Sequence, residues 1–75
     1  MSIPETLNGY PVIGSLPRNR VGESNSHAVL VHRPEHPVHQ YVTAVWSPIM
    51  GDSWCWGRYF MDLGEARADL IERSI

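Results

Sequence analysis

Four histidines, His27, His32, His36 and His39, fall within one short stretch of the chain. Imidazole nitrogens are common zinc ligands, and a zinc site needs three or four donors converging at roughly 2 Å. If residues 33–38 close a turn between two strands, His32 and His39 meet across it. His36 then sits at the tip, with Glu35 as a fourth donor. The spacing matches no zinc signature. Set against this metal reading (His32, His36, His39) is a plainer one, in which histidines edge a loop shaped by Pro34 and Pro37. No cofactor is expected.

Cys55 is the single cysteine. It cannot form an internal disulfide or a cysteine-only zinc knuckle, and a cytoplasmic setting fits best. A nucleophilic thiol needs a cation or a helix N-terminus to lower its pKa. A base such as His39 could reach it across a hairpin, but a buried, inert cysteine in a strand is the usual state. The carboxylates offer no acid–base pair. Asp62 and Glu65 are absorbed by helix capping, Asp69 and Glu72 fall on the helix exterior, and Glu5 and Glu23 lie in flexible segments. The glycines follow no phosphate-cradling pattern. No catalytic residue is assigned, and an enzyme is not expected.

The chain has 75 residues, enough for one small domain that buries roughly 60% of its unfolded surface. Six cations face eight anions, for a net charge of −2. All six cations are arginines spread along the chain, whereas unspecific nucleic-acid binding relies on clustered Lys and Arg. Nucleic acid is therefore not the expected partner. No apolar run approaches the roughly 20 residues of a membrane span, and no secretory signal is visible.

The aromatics carry the strongest functional signal. Trp46, Trp54 and Trp56 surround one turn, with Tyr41, Tyr59 and Phe60 nearby. Trp and Tyr dominate binding hot spots because they present large, rigid area with a polar tip. A small core uses some of these rings, but three tryptophans around one turn exceed what a thin core requires. The candidate contact surface is Trp46, Ile49, Met50, Trp54, Trp56 and Arg58, and its expected partner is another protein or a second copy of the chain.

These residues require strands and a helix to hold them. Residues 1–8 read as a flexible leader, Asn8-Gly9 as a turn, 10–14 as a short edge piece, and 15–26 as a mobile loop. Residues 27–31, 39–46 and 54–60 read as strands, with Gly57 marking a bulge or a close backbone approach. Asp62 caps a helix, Glu65 completes the capping box, and Leu63, Ala66, Leu70 and Ile71 form its apolar stripe. The expectation is an α+β fold: a three-stranded antiparallel meander with one C-terminal helix on one face and a short N-terminal edge segment. Residues 1–26 form the leader, edge piece and loop, and 27–75 the β-β-β-α domain. One helix covers one sheet face; the other meets the N-terminal segment, a partner or a second copy.

Residues 41–73, YVTAVWSPIMGDSWCWGRYFMDLGEARADLIER, resemble the hairpin-plus-helix of three-stranded-sheet DNA-binding domains. These are the phage integrase arm-binding and plant ethylene-response-factor types. The shared elements are an aromatic-started strand, a Pro/Gly/Asp turn, a Gly-x-Tyr-Phe strand end and an acidic cap leading into Glu-Ala-x-x-x-Leu. The resemblance implies that free-face side chains enter the major groove, here Arg58 and Arg33 with Trp46, Trp54 or Trp56. The missing lysines depart from that pattern. The whole chain is also similar to short uncharacterised proteins of phages and mobile elements in GC-rich bacteria. The expectation is a small non-enzymatic binding protein, in the manner of a phage accessory protein. A sheet-type DNA-binding domain is the alternative.

Overall fold

The computed structural model describes residues 3–18 and 26–74. Five strands, β1 (Thr6–Leu7), β2 (Tyr10–Pro17), β3 (His27–His32), β4 (Tyr41–Trp46) and β5 (Cys55–Phe60), form one sheet. They lie in sequence order, and every pairing is antiparallel. A single 3-10 turn at Pro48–Met50 sits between β4 and β5, and helix α1 (Leu63–Ser74) ends the described chain. The three-stranded meander with a short edge segment is therefore incorrect: the sheet has five strands and curls into a half-barrel.

The difference arises in the N-terminal third. Asn8 and Gly9 both have positive φ, 52° and 82°, and Leu7 pairs with Tyr10. This is the backbone of a two-residue hairpin turn, for which Asn-Gly is the preferred sequence. The turn starts β2, which continues through Gly14 and Ser15 to Pro17, taking in the first residues of the expected loop. Residues 19–25 of that loop lie outside the described residues.

β2 carries a bulge at Ile13. Val12 pairs with Val31 and Gly14 with Leu30, so two steps on β2 match one on β3. Side chains alternate along a strand, and one extra residue reverses the alternation. Val12 thus packs with Val29, Val31, Val42, Ala44 and Trp46 on one face, whereas Leu16 joins Ala28, Leu30, Ala66 and Leu70 under the helix.

The helix covers only the second of these cores. The first is closed by the curl of the sheet, which brings Ile3, Leu7 and Tyr10 over it from one side and Met50 and Trp54 from the other. Leu7, assigned to the leader by sequence, is fully buried. The Asn8 N–H donates to the Asp52 carbonyl at 2.6 Å, tying the first hairpin turn to the last. The face left uncovered by the helix is thus filled largely from within the chain.

In α1, Asp62 Oδ2 accepts the Glu65 N–H at 2.9 Å, the expected N-cap. The packed stripe is rotated from the expected one. Ala66, Asp69 and Leu70 are buried, whereas Leu63 and Ile71 are exposed. Asp69, expected on the outside, faces the sheet.

Candidate binding surface

The β4–β5 hairpin separates the proposed contact residues into two groups. Trp46 is only 4% exposed, and its Nε1–H donates to the Gly51 carbonyl at 2.8 Å. A buried tryptophan needs such a partner for its polar edge. Trp54 and Met50 are half-buried against the same core. These three are packing residues. Ile49, at the crest of the turn, is 93% exposed, and Trp56 is 67% exposed.

The bulge expected near Gly57 is present and explains the division. Thr43 pairs with Arg58 and Val45 with Cys55, so β5 holds one extra residue between the pairs. The extra residue reverses the alternation, placing Trp54 with the curled core and Arg58 and Phe60 on the helix side. Within the bulge Trp56 has φ +54°, the left-handed region that a bulky side chain rarely occupies. Gly57 has a different role. A Cβ there would come within 3.1 Å of Trp54 Nε1 and 3.5 Å of Val42 Cγ1, so glycine makes room for the inward ring. The sequence signal for the bulge was correct, but the strained position is its tryptophan neighbour.

Arg58 does not stand free on an open face. Its Nη1 donates to Asp69 Oδ1 at 2.8 Å, while Thr43 Oγ1–H and Arg73 Nε–H donate to Asp69 Oδ2 at 2.5 and 3.0 Å. Burial pushes the Asp69 carboxyl up. Hydrogen bonds from Thr43, Arg58 and Arg73 outweigh that and hold it below the ordinary carboxylate value. This cluster joins α1 to β4 and β5. The sequence reading places Asp69 on the helix exterior, away from any partner on the sheet. A Thr43 on the helix-facing side of β4 was the signal that a polar partner was needed there.

The four histidines do not converge as one set, and only His36 and His39 stay near each other. His32 stacks on Tyr41, with ring centroids 5.1 Å apart, and His27 lies against Trp46. His36 Nδ1 accepts the N–H groups of Val38 and His39, so this nitrogen is already engaged. Because His32 pairs with Tyr41, His39 lies in the loop beyond the strand end. Among the described residues no group of three or more His, Cys, Asp or Glu side chains is placed to hold a metal ion. Cys55 is half-buried opposite Val45, near one end of β4, whereas His39 lies in the loop beyond its other end. The thiol and that candidate base do not meet.

No protein-family model, curated protein or solved structure matches this chain. No described helix is long and apolar enough to cross a membrane.

Proposed function

We propose that the chain is a small, non-enzymatic cytoplasmic binding protein that acts by protein–protein contact at the turn end of the β4–β5 hairpin, through Ile49 and Trp56. The observation that carries this reading is Trp56 itself: a large aromatic side chain, mostly exposed, on a left-handed backbone. Such a conformation costs of order 1–3 kcal/mol, and strain of this kind clusters at functional sites. An exposed tryptophan with a fixed backbone is a suitable anchor for a partner's pocket, because little freedom is lost when it docks. Arg58 contributes to holding the hairpin on the helix. Its ion pair with Asp69 engages one of the two arginines, Arg58 and Arg33, on which a sheet-type DNA contact would rely.

The test compares wild type with Trp56→Ala and Trp56→Gly. Both variants should fold, because the ring lies largely outside the core. Trp56→Gly should be the more stable of the two by about 1 kcal/mol, since glycine occupies positive φ without the Cβ penalty. Both should lose about 2 kcal/mol or more of partner affinity, at least roughly 30-fold. Thermal denaturation reads the first effect. Capture of a partner from nuclease-treated lysate, with light scattering for self-association, reads the second. Equal recovery by wild type and Trp56→Ala, with no difference in oligomeric state, would refute the reading.

A further inference from the structure

The opposite end of the sheet carries a site of different chemistry. Where residues 33–40 join β3 to β4, Arg33, His36, His39 and Tyr59 line an open depression of about 400 Å³. The Arg33 guanidinium lies over the Tyr59 ring, 4.8 Å from its centroid, and its Nη2–H donates to the His39 carbonyl at 3.1 Å. These two contacts fix the plane of the fork. Arg33 Nε is sealed from solvent without a hydrogen-bond partner. Among the described residues no carboxylate pairs with this arginine. Its guanidinium is thus partly desolvated with no carboxylate in direct contact, an arrangement that a neighbouring anion relieves.

His36 supplies the second donor. Because its Nδ1 accepts the Val38 and His39 N–H groups at 3.3 and 2.9 Å, the neutral ring carries its proton on Nε2. The His39 ring stands 5.9 Å from that of His36 and borders the same depression. The nearby acidic group is Glu35, which hydrogen-bonds the Tyr10 hydroxyl and raises its pKa, while Arg33 opposes that shift. Glu35 opposes any anion bound here.

We infer that this depression binds a phosphate-class oxyanion, with Arg33 and the Nε2–H of His36 as donors. Both groups are oriented before a ligand arrives, which reduces the ordering cost of binding. Both line one open space, and several donors around it suit a tetrahedral ion with several acceptor oxygens better than a planar carboxylate. Tyr59 acts as the platform for the guanidinium, a role that lysine cannot serve equally.

The experiment is an NMR titration of the full chain with inorganic phosphate, acetate or chloride at matched ionic strength. It follows the Arg33 Nε–H, the rings of His36 and His39, and the amides of Val38 and His39. Phosphate should give saturable shifts confined to this loop, with acetate at least ~10-fold weaker and chloride without saturation. Arg33→Lys should weaken phosphate by ~10-fold or more despite its retained charge. Glu35→Gln, at an exposed position, should keep the fold and strengthen binding. A linear phosphate response, an equal response to acetate or chloride, or a Glu35→Gln variant with unchanged affinity would each overturn the proposal. Trp56→Ala should leave the titration unchanged, so this site and the hairpin surface fail or succeed independently.

Discussion

Asp69→Ala should destabilise the domain by about 3 kcal/mol, a large share of what holds it folded. A chain of this length has a total stability of roughly 4–11 kcal/mol, and the substitution removes the acceptor for three donors. Arg73, with only 11% of its side chain exposed, loses its carboxylate, as does the buried Thr43 hydroxyl. Removing one partner of a buried pair is costly because the other stays desolvated and unpaired. Arg58, with 59% of its side chain exposed, recovers much of its loss from water. Asp69→Asn should fall between the two. It keeps one acceptor oxygen but sets its NH2 among guanidinium groups that can only donate.

The same carboxylate sets a pH dependence. Its folded-state pKa lies below its ordinary value of 3.8, because hydrogen bonds from Thr43, Arg58 and Arg73 overcome the opposing effect of burial. A depressed pKa means that the unfolded chain takes up the proton first. The stabilisation is complete above about pH 4 and declines as pH falls through the lower folded-state value. Urea midpoints measured between pH 7 and pH 2 should fall in wild type below that point. In Asp69→Asn this part of the decline should be absent. A wild type and variant that lose stability in parallel would show that the cluster does not carry the effect.

Trp46→Ala should have a comparable or larger effect, about 4 kcal/mol, because it removes one of the largest buried side chains from the curled core. Its indole also donates to Gly51, so truncation frees a carbonyl that helps shape the turn. Trp46→Phe keeps most of the buried ring and loses the donor, and should cost about 1–2 kcal/mol. Chemical denaturation monitored by far-UV circular dichroism measures both. The contrast with Trp56 is the informative part. Trp46→Phe should lower stability and spare partner capture, whereas Trp56→Ala should do the reverse. If Trp46→Phe abolished capture while remaining folded, the contact surface would have to include the buried ring.

The strands 27–32, 41–46 and 55–60 and the capped helix were legible because their patterns are local: β-branched runs, a Pro/Gly/Asp turn, and an acidic residue three positions before Glu65. The N-terminal hairpin was equally local, with Asn-Gly between Leu7 and Tyr10. Its turn and a short edge strand over 10–14 are legible, but Thr6–Leu7 reads as leader and the strand reads short, because Pro11 and Gly14 look like strand breakers. Pro11 is accommodated opposite Thr6, and the extra residue at Ile13 places Gly14 against Leu30 and the helix. The candidate surface was only partly legible. Trp46, Trp54 and Trp56 share even positions, and strict alternation groups Trp54 and Trp56 with Arg58. A single bulge changes that grouping, and one chain's pattern shows that a bulge exists more readily than which side chains it redirects. The Asp69 cluster was hidden for a different reason. Its partners lie on three elements, and only the packed fold brings Thr43 and Arg58 to the helix.

The bulge at Ile13 also governs how this molecule comes apart. Without it, β2 would direct its inward residues into one core alone, and the two cores would share fewer strands. With it, the same eight-residue strand contributes Val12 to one and Leu16 to the other, while β3 supplies alternate residues to both. Neither cluster is large enough to persist by itself, and neither can loosen without withdrawing β2 from the other. The two halves should therefore melt together, as a single cooperative unit.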